Sequence, residues 1–114
     1  MSLMVSDGSE MIRYNPSTSS IEASNSKGFS WFMRYRCSDM GKVRAMTMHK
    51  GVIILCSDKG IYISKNSGKA WSKRNSSDRN FVDIQDMGNE LIATTSDGHV
   101  YASSSGGFSW FKRR

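Results

Sequence analysis

Proline, cysteine, histidine and long apolar stretches are all scarce in this sequence, and each scarcity excludes something. There is one proline, Pro16, inside the turn-prone stretch Asn15-Pro16-Ser17-Thr18-Ser19. Proline lacks the N–H a central strand needs, so this stretch is expected at a strand end or in a loop. The two cysteines, Cys37 and Cys56, do not make a disulfide framework, and no C-x-x-C pair suggests a metal. Cys56 lies in the apolar run Val52-Ile53-Ile54-Leu55-Cys56 and is expected to be a buried free thiol acting as a small hydrophobe. That usage favours a reducing compartment. The two histidines, His49 and His99, lie in or beside turns with no second ligand at metal spacing. No run of 18 apolar residues exists, which excludes a membrane-spanning helix. The start, Met1-Ser2-Leu3-Met4, lacks a charged segment followed by a long apolar one, so no signal peptide is expected; it is read as a vector remnant ahead of a native start at Met4. No segment sustains a helical period, and neither a Gly-x-Ser-x-Gly elbow nor a phosphate loop is present.

What is present is a repeat. The segments Ser24-Asn25-Ser26-Lys27-Gly28-Phe29-Ser30-Trp31, Ser64-Lys65-Asn66-Ser67-Gly68-Lys69-Ala70-Trp71 and Ser103-Ser104-Ser105-Gly106-Gly107-Phe108-Ser109-Trp110 share one pattern, Ser-x-(Ser/Asn)-x-Gly-x-(Ser/Ala)-Trp. They hold the only three tryptophans, spaced 40 and 39 residues apart. A fixed period near that length marks a repeat architecture. At 114 residues with 38% hydrophobic and 23% charged content, the chain reads as a single folded domain.

The second repeat is the clearest. Val43–Met48 alternates and reads as a strand. Val52–Cys56 is a continuous β-branched run suited to a strand buried on both faces. The turn Ser57-Asp58-Lys59-Gly60 leads to Ile61–Ser64, and the Gly68 hairpin leads to a fourth strand over Ala70–Arg74. The third repeat follows the same plan over Phe81–Gln85, Glu90–Thr95, His99–Ser103 and Phe108–Lys112. The first is looser, with Leu3–Val5, Met11–Tyr14, Ser20–Ala23 and Phe29–Met33 as its strands. The expected fold is all-β, with three four-stranded antiparallel meanders spanning residues 1–37, 38–77 and 78–114.

The repeated motif resembles the Asp-box, or BNR repeat, of sialidase-like β-propellers, Ser-x-Asp-x-Gly-x-Thr-Trp. The resemblance implies that each meander is a propeller blade. It also implies that the box forms the hairpin between the third and fourth strands, and that its tryptophan packs into the blade. On that basis Ser24, Ser26, Gly28, Trp31, Ser64, Asn66, Gly68, Trp71, Ser103, Ser105, Gly107 and Trp110 are structural. The chain departs from the family where Ser26, Asn66 and Ser105 replace Asp, and Ser30, Ala70 and Ser109 replace Thr. Ser and Asn still accept local backbone hydrogen bonds, whereas ion binding through the Asp is lost. Closed propellers have four to eight blades, so three blades imply a homodimer completing a six-bladed ring. The alternative is a piece of a longer propeller.

Sialidases use an arginine triad, a Tyr-Glu nucleophile pair and an acid/base Asp. Their Phe-Arg-Ile-Pro signature is missing here. Arg13, Arg44 and Arg79 form a triad only on paper, and Tyr14 with Glu10 or Glu22 is equally unconstrained. The expected function is therefore non-catalytic, a binding or structural module of the kind found in phage-type surface proteins. A lectin-like carbohydrate binder is the alternative, and a trimmed glycoside hydrolase a second one. No metal or cofactor is implied, and the expected location is cytoplasmic or virion-associated.

Charge is the remaining signal. With 16 Lys and Arg against 10 Asp and Glu, the formal net charge is +6, which suits an anionic partner such as a glycan more than nucleic acid. The basic residues Arg34, Arg36, Lys73, Arg74, Lys112, Arg113 and Arg114 follow the three tryptophans on the expected outer strands. There they blunt sheet edges or form a basic rim, with Phe32, Tyr35 and Phe111 for stacking. Lys42, Arg44, His49 and Lys50 lie on or beside an expected first strand, the strand that lines a propeller's channel. The carboxylates Asp78, Asp83 and Asp86 either line that channel or are solvated.

Overall fold

The computed structural model describes residues 3–76 and 81–114, where the chain is all-β with no helix. Accordingly no helix is long and apolar enough to cross a membrane. Asp78 and Arg79 lie outside the described residues, as do Met1 and Ser2.

The strands are β1 (Met4–Ser6), β2 (Met11–Asn15), β3 (Ser20–Ser24) and β4 (Phe32–Arg36), then β5 (Val43–His49), β6 (Val52–Ser57), β7 (Gly60–Ser64) and β8 (Ser72–Asn75), then β9 (Phe81–Asp86), β10 (Leu91–Thr95), β11 (Val100–Ser103) and β12 (Phe111–Lys112). They form three four-stranded antiparallel sheets, β1-β2-β3-β4, β5-β6-β7-β8 and β9-β10-β11-β12, each strand pairing with its sequence neighbours. The three sheets stack into a body of 40 × 27 × 22 Å. Pro16 falls in the turn between β2 and β3, where the Asn15 side-chain oxygen accepts the Ser17 N–H at 2.9 Å.

Burial explains the sequence pattern of each sheet. The middle sheet is packed on both faces, so β6 and β7 are buried almost throughout. Between the first and second sheets, Ile12, Tyr14 and Ile21 meet Met46, Ile53, Leu55 and Tyr62. Between the second and third, Ile54, Cys56 and Ile61 meet Phe81, Ile84, Leu91 and Trp110. Each fully buried Ile or Leu contributes roughly 1.5–3 kcal/mol. Cys37 and Cys56 are both buried free thiols, and burial pushes them up to about 11 and about 12.

One expectation needs correction. The fourth strands start later than the sequence suggests, at Phe32, Ser72 and Phe111 instead of Phe29, Ala70 and Phe108. The residues up to and including each tryptophan belong to the hairpin loop, because side chains of the motif claim the backbone groups a strand would have used.

Candidate functional site

Three hairpins repeat one hydrogen-bond scheme. The first serine of each motif accepts the glycine N–H, at 2.9 Å for Ser24 and Gly28, 2.8 Å for Ser64 and Gly68, and 2.9 Å for Ser103 and Gly107. The third position accepts the N–H four residues on, at 3.0 Å for Ser26 with Ser30, Asn66 with Ala70, and Ser105 with Ser109. Each tryptophan indole then donates back to the glycine carbonyl, at 3.1 Å for Trp31, 3.0 Å for Trp71 and 3.1 Å for Trp110. The glycines take φ of +92°, +87° and +101°, a region costly for any residue with a Cβ. Every recurrent residue of the motif thus has a stated bond or backbone shape to maintain.

The basic residues after the tryptophans divide by position. Arg34 and Arg74 occupy matching places, three residues past Trp31 and Trp71, and both cross to the next sheet. Arg34 Nη1 donates to the Ser67 carbonyl at 3.0 Å, and Arg74 Nη1 donates to the Gly106 carbonyl at 3.0 Å. Glu10 grips Arg34 bidentately at 2.8 and 2.7 Å. That charged pair holds the Glu10 carboxyl below its usual range and raises Arg34. Arg74 has no matching carboxylate among the described residues; it stacks on Phe108 at 4.2 Å, and burial lowers its pKa. Asp7 joins the first junction by accepting the Ser67 hydroxyl at 2.9 Å. Backbone N–H groups of Glu10 and Ser9 lower it to about 2.

The remaining candidates spread apart. Arg113 Nη1 donates to both carboxylate oxygens of Glu90, at 2.8 and 2.9 Å. Lys73 lies 5.7 Å above the Tyr62 ring, while Arg36, Lys73 and Lys112 are exposed. Arg44 is paired with Asp58 and also donates to the Phe81 carbonyl. His49 Nδ1 lies 2.7 Å from Asp86 Oδ1, joining second and third sheets and holding the Asp86 carboxyl low. Of the paper triad, Arg13 is paired with Glu22 and Arg44 with Asp58.

A groove of about 570 Å³ runs along the first strands of all three sheets, where the sequence places a channel; Asp83 and Asp86 line it as expected, whereas Lys42, Arg44, His49 and Lys50 do not. Met4 and Met48 give it soft apolar walls with the buried Met46 at its base, and Ser6, Thr47, Gln85, Asp83 and Asp86 give it polar ones. Among the described residues no basic side chain lines it. Strands β1, β5 and β9 are each the end strand of their sheet, with a ladder on one side only among the described residues. The signal for its apolar lining was weak in sequence, because the lining comes from three segments about one repeat apart. Among the described residues no group of three or more His, Cys, Asp or Glu side chains gathers at metal distance.

No protein-family model matches the chain, and no curated protein does. Solved structures do. YCF48 bound to a D1 peptide superimposes with TM-score 0.71 and 12% identity, covering 93% of this chain and 38% of that one. An ancestral GH74 enzyme gives TM-score 0.68 and 18% identity over 96% of this chain and 17% of that one. The N-terminal domain of Nup159 gives 0.70 and 10% over 100% of this chain and 34% of that one. These neighbours are β-propellers, so the three sheets are propeller blades. The chain spans well under half of each neighbour, and at such identities the likeness is one of fold alone.

Proposed function

We propose that this chain is a non-catalytic propeller module that binds an extended segment of a partner protein in the groove along β1, β5 and β9. The three hairpins, in this reading, are degenerate Asp-boxes whose only task is to hold the blades. The observation that carries the proposal is the groove itself: three strand edges around a cleft walled by methionines. An end strand offers main-chain N–H and C=O groups along its outer side to an added strand. Thioether side chains adapt to whatever apolar residue arrives. Asp83 and Asp86 favour a segment that is neutral or basic, even though the chain carries net charge +6. A structural neighbour is described as bound to a peptide, which is consistent with this use of the fold. The commitment of Arg13, Arg44 and Glu10 to ion pairs, with Tyr14 turned into the core, supports a non-catalytic role.

A glycan reading draws on a different place. Phe29 is 92% exposed at the tip of the first hairpin, and Phe108 is 59% exposed under Arg74 at the tip of the third. Panning a displayed library of linear peptides against the full chain separates the two readings. Bound peptides should shift backbone amide resonances of β1, β5 and β9, and Thr47→Arg should abolish their binding. Absence of peptide binders, together with glycan-array binding removed by Phe29→Ala, would overturn the groove proposal in favour of the lectin.

A further inference from the structure

The two junctions between blades are built from the same parts, and a third set of those parts lies unused at the two ends of the stack. At each internal junction an arginine of one blade donates to a hairpin carbonyl of the next: Arg34 to Ser67 and Arg74 to Gly106. The following hairpin glycine rests on an isoleucine pair of the earlier blade. A Cβ on Gly68 would lie 3.2 Å from Ile21 and 3.5 Å from Ile12, and one on Gly107 3.2 Å from Ile61 and 4.0 Å from Ile54. Trp71 and Trp110 pack into these same junctions.

Strand register locates the third set. Ile12 pairs with Ala23, Ile54 with Ile63 and Ile92 with Ala102, so Ile92 is the third blade's counterpart of Ile12 and Ile54. By the same register Val100 matches Ile21 and Ile61, and Arg113 matches Arg34 and Arg74. At the other end Lys27, Gly28 and Trp31 match the hairpin parts that receive them. Exposure separates the used sets from the unused one. Ile12, Ile21, Ile54 and Ile61 are at most 1% exposed, whereas Ile92 and Val100 are partly exposed. The Arg34 side chain is 9% exposed and that of Arg113 is 49%. Gly68 and Gly107 are buried, while Gly28 is not. Arg113 is likewise paired with a glutamate just ahead of its blade's second strand, although Glu90 is reached by Nη1 alone where Glu10 takes both Nη1 and Nη2 of Arg34.

The end faces also carry complementary charge. Leu3 and Leu55 share the first junction's core, and Ala45 and Ala93 share the second's. The matching pair at a third junction is Asp83 on the third blade and Arg13 on the first. An apolar pair is replaced there by an acid and a base.

We propose that the third blade docks onto the first blade of a second copy of this chain, and that two copies close a six-bladed ring. Arg113 donates to the partner's Lys27 carbonyl, Gly28 of the partner rests on Ile92 and Val100, and Asp83 faces the partner's Arg13. A head-to-tail contact closes when its rotation allows, and among multiples of three only six falls within the usual four to eight blades. Because this junction has a charged pair where the internal ones have apolar residues, it is weaker than they are and loosens with salt. The inference stands on junction geometry and shares only Asp83 with the groove.

Sedimentation velocity of the full chain, from low micromolar to near-millimolar concentration and at low and high salt, tests it. A reversible dimer that dissociates with added salt is expected. Ile92→Glu should raise its dissociation constant at least about 100-fold, since it places an unpaired charge in the contact. Arg113→Met, at a more exposed site that leaves the internal junctions intact, should weaken it about tenfold, with unchanged circular dichroism. A monomer at every concentration, a polymer that keeps growing, or a dimer indifferent to both substitutions would overturn the proposal. A monomer would leave the end faces to some other occupant, such as further blades of a longer chain.

Discussion

Replacing Gly68 with alanine isolates the packing of one blade against another. Gly68 has φ of +87°, and an L-residue there incurs roughly 1–2 kcal/mol of backbone strain. The new Cβ would also lie 3.2 Å from Ile21 Cγ2 and 3.5 Å from Ile12 Cγ2, inside a junction whose isoleucines are fully buried. Relief requires Ile21 to give by a few tenths of an ångström inside a close-packed junction, and overpacking of that kind costs about 1–3 kcal/mol. Gly98→Ala is the control. Gly98 has nearly the same φ, +91°, and a Cβ added there would meet nothing within 4 Å. Both substitutions gain the same unfolded-state entropy term, so that term cancels in the difference. The expected total is about 2–5 kcal/mol for Gly68→Ala and about 1–2 kcal/mol for Gly98→Ala. For a chain of 114 residues, each kcal/mol moves Tm by about 4 °C. Urea unfolding followed by tryptophan fluorescence measures both. Equal losses for the two variants would refute the claim that the hairpin glycine is where one blade seats on the next.

Other consequences follow from the same geometry. Ser64→Ala leaves the buried Gly68 N–H without its acceptor and should cost about 1–3 kcal/mol; exposed Ser104→Ala should stay within about 0.5 kcal/mol in the same titration. Arg74→Met gives up the bond to Gly106 and the stack on Phe108, and should lower urea stability by about 1 kcal/mol. Asp7 titrates at about 2 in the folded chain against 3.8 unperturbed. Its contribution is therefore full above the unfolded value and lost as pH falls from about 4 towards 2, so acid unfolding of Asp7→Asn should be less steep in that window. Cys37 and Cys56 titrate at about 11 and about 12 behind buried surfaces; both should resist a thiol reagent at pH 8 in the native protein and react once it is unfolded in urea.

Much of the architecture was legible because the chain alternates between apolar runs and glycine turns. Val52–Cys56 reads as a strand buried on both faces, and it is β6 of the sandwiched middle sheet. Alternation in Val43–Met48 similarly announced β5. The fourth strands were misjudged at their starts because Ser26, Asn66 and Ser105 capture backbone N–H groups four residues on. Propensity cannot report that competition between side chain and ladder. The cluster of cations after each tryptophan was visible, but its division was not. Arg34 and Arg74 reach carbonyls more than 30 residues away, and only the stacking of sheets brings those atoms together. A faint clue existed in Glu10 and Glu90, each just ahead of a second strand and each paired with an arginine three residues past a tryptophan, Arg34 and Arg113. The channel along the first strands was legible, but its apolar wall was not, since Met4 and Met48 are indistinguishable in sequence from core residues.

The arginine contact at each junction has a consequence for how such a chain can change over time. What the guanidinium reads is a carbonyl of the main chain, from a serine in one case and a glycine in the other. Any amino acid supplies that atom. A neighbouring repeat can therefore drift through almost every side chain it has, keeping little more than its serine, glycine and tryptophan, and still be recognised by the unit before it. A repeat could equally be copied, lost or exchanged in the gene, and the new neighbour would present the same atom at the same place. Recognition of this kind tolerates divergence without coordinated change on both sides. That would account for three repeats so unlike one another in sequence stacking by one rule.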